Sequence, residues 1–239
     1  MECWASPLGD CGGGVSREHY ISDGIFDGES ITAFGLAWCK DEPVTIGLAS
    51  ATSKILCRKH NESLAVLDAE AARLSRFVSL NIVEDPLSHA AITLNGQLIE
   101  KWALKTLFNL GYIGALDQNS FTRLTPPYEI VRLLFTTEPV QDGIGLYFVS
   151  GGISNEDFKV GLAWRAIQNQ ENGKAIGMTF TFNGLRLAAT IVPMRAEKQL
   201  RALGLVDGFD YTTAKVIYRP PNIIMGSETA GRKVINLEW

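Results

Sequence analysis

Three of the four cysteines and one histidine are the residues best equipped for chemistry: Cys3, Cys11, Cys57 and His60. Thiolate sulfur and imidazole nitrogen suit a tetrahedral zinc ion, and four such ligands would close the site and make it structural. Cys57 and His60 are three residues apart where a helical run opens, so one helical turn can aim both at the same ion. The competing reading is a set of ordinary buried thiols, and Cys39, after the apolar run 34–38, is expected to be one. A second, harder set lies nearby: the neighbours Glu18 and His19, and Asn61 directly after the last soft ligand. Imidazole is a base near neutral pH, while carboxylate and amide oxygens suit Mg²⁺ or Mn²⁺. Asn61 also stands before the helical sequence, where an N-cap is the competing role. Lys54, Arg58 and Lys59 flank this group and can meet a phosphate backbone, or form a solvated face.

These residues need elements to hold them. Residues 1–15, with Gly12-Gly13-Gly14 after Cys11, read as a tight glycine-rich loop. Short strands are expected at residues 20–21, 31–38 and 44–48, and a helix over 62–78. Leu64, Leu67, Ala71, Leu74 and Val78 repeat at helical spacing on its inner face. Strands followed by a helix make a ββα module, assigned to residues 1–85. A second helix is expected over 97–110, with Leu98, Trp102 and Leu107 inward and Glu100, Lys101 and Lys105 outward. A third, over 128–135, follows Pro126-Pro127. Beyond Pro139, β-branched and aromatic runs at 144–149, 159–167, 177–182, 185–192, 215–218 and 233–239 read as strands. Asn183-Gly184 is a hairpin signal between two of them. A helix at 195–203 places Arg195, Lys198 and Arg201 on one face. Residues 95–239 are therefore expected to be an α+β domain with a mostly antiparallel sheet.

The order Cys, Cys, Glu-His, Cys-x-x-His-Asn resembles the zinc-braced branch of the HNH, or His-Me finger, endonucleases, in the pattern of the phage endonuclease VII type. The resemblance covers residues 1–80. It implies a structural zinc on Cys3, Cys11, Cys57 and His60, with His19 as the base that activates a water. Glu18 and Asn61 would hold a catalytic Mg²⁺ or Mn²⁺ at the scissile phosphate. It further implies phosphodiester hydrolysis, of DNA before RNA, in a defence or mobile-element protein that can act as a homodimer. The chain departs from the pattern in four ways, one being that the stretch between His19 and Asn61 is longer than in the compact motif. His60 stands where a fourth cysteine is usual, Glu18 stands for aspartate, and only Ser50, Thr52, Ser53 and Lys54 lie where a middle Asn or His belongs.

Composition sets the bounds. The chain has 239 residues, 46% of them hydrophobic and 20% charged, enough for one large or two modest cores. Residues 1–90 carry seven basic against thirteen acidic side chains, and residues 91–239 fifteen against thirteen. The acidic N-terminal part counts against unaided DNA binding. That favours an alternative reading: a catalytically inactive zinc-stabilised scaffold for binding or assembly, its acidic face meeting a protein. In the nuclease reading the C-terminal part, residues 95–239, would select the target, bind a protein partner or regulate cutting, and a third reading has it sense a small ligand that gates the nuclease. No apolar run is long enough for a membrane span. The start, Met1-Glu2-Cys3-Trp4, lacks signal-peptide character, so a cytoplasmic protein is expected.

Overall fold

The computed structural model describes residues 2–79, 89–116, 123–150, 162–169, 173–193, 215–226 and 232–239. Four strands open it: β1 (Val15–His19), β2 (Ser30–Phe34), β3 (Val44–Gly47) and β4 (Thr52–Cys57). β1 pairs antiparallel with β4, with a bulge between Ser16 and Glu18, and the intervening β2 and β3 join a different sheet. Tyr20 and Ile21 are buried, yet they follow the strand rather than form it. The expected strand at 31–38 stops at Phe34 because Gly35 turns the backbone to φ +89°. A Cβ at Gly35 would overlap the Trp164 carbonyl, so only glycine fits.

β4 runs directly into α1 (Arg58–Ser63), and α2 (Ala65–Ser79) follows after a break at Leu64. The stripe Leu64, Leu67, Ala71, Leu74 and Val78 is buried as its spacing requires. Next come β5 (His89–Asn95) and α3 (Gly96–Tyr112). Asn95 caps α3, its side chain accepting from Leu98 N–H at 3.0 Å. The short α4 (Tyr128–Leu134) begins after the proline pair. Seven strands complete the chain: β6 (Gly145–Ser150), β7 (Leu162–Gln168), β8 (Ala175–Phe182), β9 (Leu185–Thr190), β10 (Lys215–Tyr218), β11 (Asn222–Gly226) and β12 (Arg232–Glu238). The hairpin at Asn183-Gly184 joins β8 to β9, both residues having positive φ.

Among the described residues the strands form sheets of two, seven and three, mostly antiparallel. The seven-stranded order is β10-β6-β9-β8-β7-β2-β3, with only β2–β7 parallel; in the sheet β11-β12-β5, β12 and β5 are parallel. Strands from both 1–85 and 95–239 therefore share one sheet, and one apolar cluster runs from Cys3 to Leu237. The helix expected at 195–203, with Arg195, Lys198 and Arg201, lies outside the described residues. Among those described, no helix is long and apolar enough to cross a membrane.

One expectation fails instructively. Glu100, Lys101 and Lys105 on α3 do not face outward; each is at most 3% exposed. The helix is packed by α2, α4 and strands of two sheets, so its polar residues have protein partners instead of water. Glu100 takes Arg219 at 2.9 Å and the Leu146 N–H at 3.0 Å, and Lys101 donates to the Thr136 carbonyl at 2.6 Å. Lys105 reaches back to Glu18 and Asp68 at 2.7 Å each.

Candidate metal centre

Cys3, Cys11, Cys57 and His60 come together from the N-terminal loop and the β4–α1 junction. Their ligand atoms all lie within 4.8 Å of one another, a cluster that can hold a metal ion and is compatible with zinc. His60 Nδ1 stands 3.2 Å from Cys57 Sγ, 3.3 Å from Cys3 Sγ and 3.7 Å from Cys11 Sγ. Tetrahedral zinc, with typical bonds of about 2.3 Å to sulfur and 2.0–2.1 Å to nitrogen, separates the two ligand types by about 3.5 Å. The observed spacings bracket that value.

The local chain explains why the ligands converge. Gly13 and Gly14 take positive φ, +74° and +72°, and turn the loop back over α1. Its carbonyls then receive the first helical N–H groups, Arg58 to Gly14 at 2.9 Å and Lys59 to Gly12 at 3.2 Å. Residues 3–5 are tied down separately. Trp4 N–H donates to the Ile55 carbonyl at 2.9 Å, and its indole packs edge-on against Phe108. Phe135, just past α4, covers the His60 ring at 4.9 Å between centroids.

Asp10 completes the surroundings, a residue that no motif or spacing in the sequence marks. Its carboxylate accepts from His60 Nε2 at 2.8 Å and from Lys59 at 2.5 Å. With Nε2 held by Asp10, Nδ1 is the ring atom turned to the sulfurs, the usual orientation of a ligating histidine by an outer carboxylate. The hydrogen bonds from Lys59 and His60 hold Asp10 below the usual carboxylate range. Burial, then neighbouring sulfurs, push Cys11 up to about 12, and burial raises Cys3. Burial also acts to raise Cys57, but the backbone N–H groups of His60 and Gly12 outweigh it and the net direction is down. Zinc binding would draw the protons off these thiols. Cys39 is a buried thiol apart from the cluster.

The harder set does not converge in the same way. Glu18 is 6% exposed, and its carboxylate bonds the buried Lys105 ammonium at 2.7 Å. Burial raises its carboxyl and the Lys105 charge acts against that rise. His19, the next residue on β1, is a third exposed, and its Nδ1 lies 4.0 Å from the exposed Asp23 carboxylate. Asn61 sits inside α1, so it is not the N-cap; Cys57 holds that position. Its Nδ2 donates to Ser16 Oγ at 3.3 Å and to the Arg17 carbonyl at 3.4 Å. Because a carbonyl only accepts, this bond fixes the amide and leaves Oδ1 as its ligand-type atom. Exposed Arg17, Lys54 and Arg58 surround β1 and α1, and among the described residues none of them makes an ion pair. Lys59 is committed to Asp10.

Fold and site together define a mixed α+β protein with a Cys₃His cluster suited to a structural metal. No known family, curated protein or solved structure matches the chain.

Proposed function

We propose that residues 1–80 form a zinc-braced, HNH-type module that hydrolyses nucleic-acid phosphodiesters, DNA first, with His19 and Asn61 as its working residues. The observation that carries this reading is the tether between Asn61 and β1. A helix start beside the zinc ligands is hydrogen-bonded to the strand that ends in His19. The antiparallel β1–β4 pair leading straight into α1 supports it as well. His19, with Asp23 on its Nδ1 side, offers Nε2 to take a proton from the attacking water. Asn61 Oδ1 offers one hard oxygen, in keeping with a cation that retains several waters and takes phosphate oxygens from its substrate. A bound Mg²⁺ or Mn²⁺ would supply charge stabilisation at the phosphate and leaving oxygen. Arg17, Lys54 and Arg58 are the cations available for backbone phosphates.

A second reading is favoured by Glu18. Its burial in an ion pair with Lys105 fits a catalytically silent module used for binding or assembly. Cleavage of plasmid, branched and single-stranded DNA in Mg²⁺ or Mn²⁺, with zinc content measured in parallel, separates the two. Cutting by wild type and not by zinc-loaded His19→Ala establishes the nuclease. Zinc-loaded wild type that cuts none of these refutes it in favour of the scaffold.

A further inference from the structure

Helix α3 belongs to the second half of the chain, yet its buried polar side chains are aimed at the first. Trp102, Lys105 and Asn109 are spaced by three and four residues, so they lie on one stripe of the helix. Each is at most 1% exposed, and each bonds the segment around His19. Trp102 Nε1 donates to Ser22 Oγ at 2.9 Å, and the Ser22 hydroxyl donates in turn to Asp68 Oδ1 at 2.5 Å. Lys105 holds Glu18 at 2.7 Å. Asn109 Nδ2 donates to the His19 carbonyl at 3.4 Å, while its Oδ1 accepts from Trp4 Nε1 at 2.9 Å.

We propose that α3 is the positioning element of the His19 site, with Trp102, Lys105 and Asn109 fixing residues 18–22 from behind. The proposal rests on the reading of His19 as the working base. It gives the buried Glu18 a purpose: its carboxylate anchors the strand so that the neighbouring imidazole, on the alternate side of β1, is held outward. The three α3 residues are sealed from solvent and touch no substrate, so they act only through the main chain and side chains they hold. The same stripe joins the zinc-tethered N-terminus to that segment, because Asn109 bonds Trp4 and His19 at once.

The test compares Asn109→Leu with Trp4→Phe in the full-length, zinc-loaded protein. Both variants lose the Trp4–Asn109 bond, and only Asn109→Leu loses the grip on His19. The chain has three histidines, so the imidazoles give separable ¹⁵N NMR signals, assigned with His19→Ala. The expected result is a displaced His19 signal in Asn109→Leu alone, with His60 and His89 unmoved. Where DNA is cut, kcat should fall by about tenfold or more while KM stays within about twofold, as misplacement of a working group requires. An unchanged His19 signal in folded Asn109→Leu overturns the proposal, as does an equal displacement in both variants, which would mean simple packing loss. If Asn109→Leu does not fold, Ser22→Ala, which deletes the hydroxyl that accepts from Trp102 Nε1, is read by the same signal and the same criterion. A wild type that cuts no DNA refutes the nuclease reading, while the NMR comparison still decides whether α3 positions His19.

Discussion

Replacing Lys105 by methionine keeps the length of the side chain and deletes its charge. The ammonium is 1% exposed and bonds Glu18 Oε1 at 2.7 Å, Asp68 Oδ1 at 2.8 Å and Asp68 Oδ2 at 2.7 Å. Asp68 is about a third exposed and keeps the Ser22 hydroxyl, so it can recover solvation. Glu18 cannot, and the loss is set by one uncompensated buried carboxylate, about 3–5 kcal/mol. For a chain of this size that lowers Tm by roughly 6–20 °C. Urea unfolding at saturating zinc measures it, with m unchanged between proteins. The deficit depends on pH with a definite sign. Burial already raises the Glu18 carboxyl, and losing Lys105 raises it further. The folded variant then holds a proton that the unfolded chain has released, so its stability falls as pH rises through the folded pKa. The deficit should be smaller at about pH 5 than at about pH 7.5. Adding Glu18→Gln to Lys105→Met removes both charges and should restore at least about half of the loss. A single variant within about 1 kcal/mol of wild type at neutral pH would refute the claim that this bridge secures β1 to α3.

Three other outcomes are expected. Purified protein should hold about one zinc per chain; Cys57→Ser should lose it, and Cys39→Ser should retain it, as read by metal analysis. Asp10→Ala should keep the fold and weaken zinc binding by roughly 10–100-fold in a chelator competition, because His60 loses its outer partner; an unchanged affinity would remove Asp10 from the centre. Gly35→Ala should leave little folded protein by circular dichroism, since its Cβ would drive against the Trp164 carbonyl where β2 meets β7.

The metal cluster was legible because sulfur and imidazole are rare, and because Cys57 and His60 carry helical spacing that the structure keeps. The Asn183-Gly184 turn was legible for the same reason: its chemistry is local. Asp10 was not, because nothing in its spacing marks an outer partner. Nor was β1, whose polar Ser16-Arg17-Glu18-His19 has little strand character and is extended because β4 pairs with it. The polar residues of α3 misled for a related reason. Periodicity sorts water from core, and it has no signal for a lysine whose counter-charge comes from a distant strand. The candidate catalytic set rested on residue type and order, and neither says which way Glu18 turns.

The parallel contacts also fix an order of events during synthesis. β2 leaves the ribosome early, but its parallel neighbour β7 is made more than a hundred residues later, and Glu100 likewise waits for Arg219, 119 residues on. At about 5–20 residues per second, the β2–β3 hairpin spends roughly ten seconds with one edge open. The zinc loop, whose ligands are complete once His60 emerges, can close during that interval. On this timetable a metal held there would be an early clasp on a nascent chain, and zinc starvation during expression should appear first as aggregation.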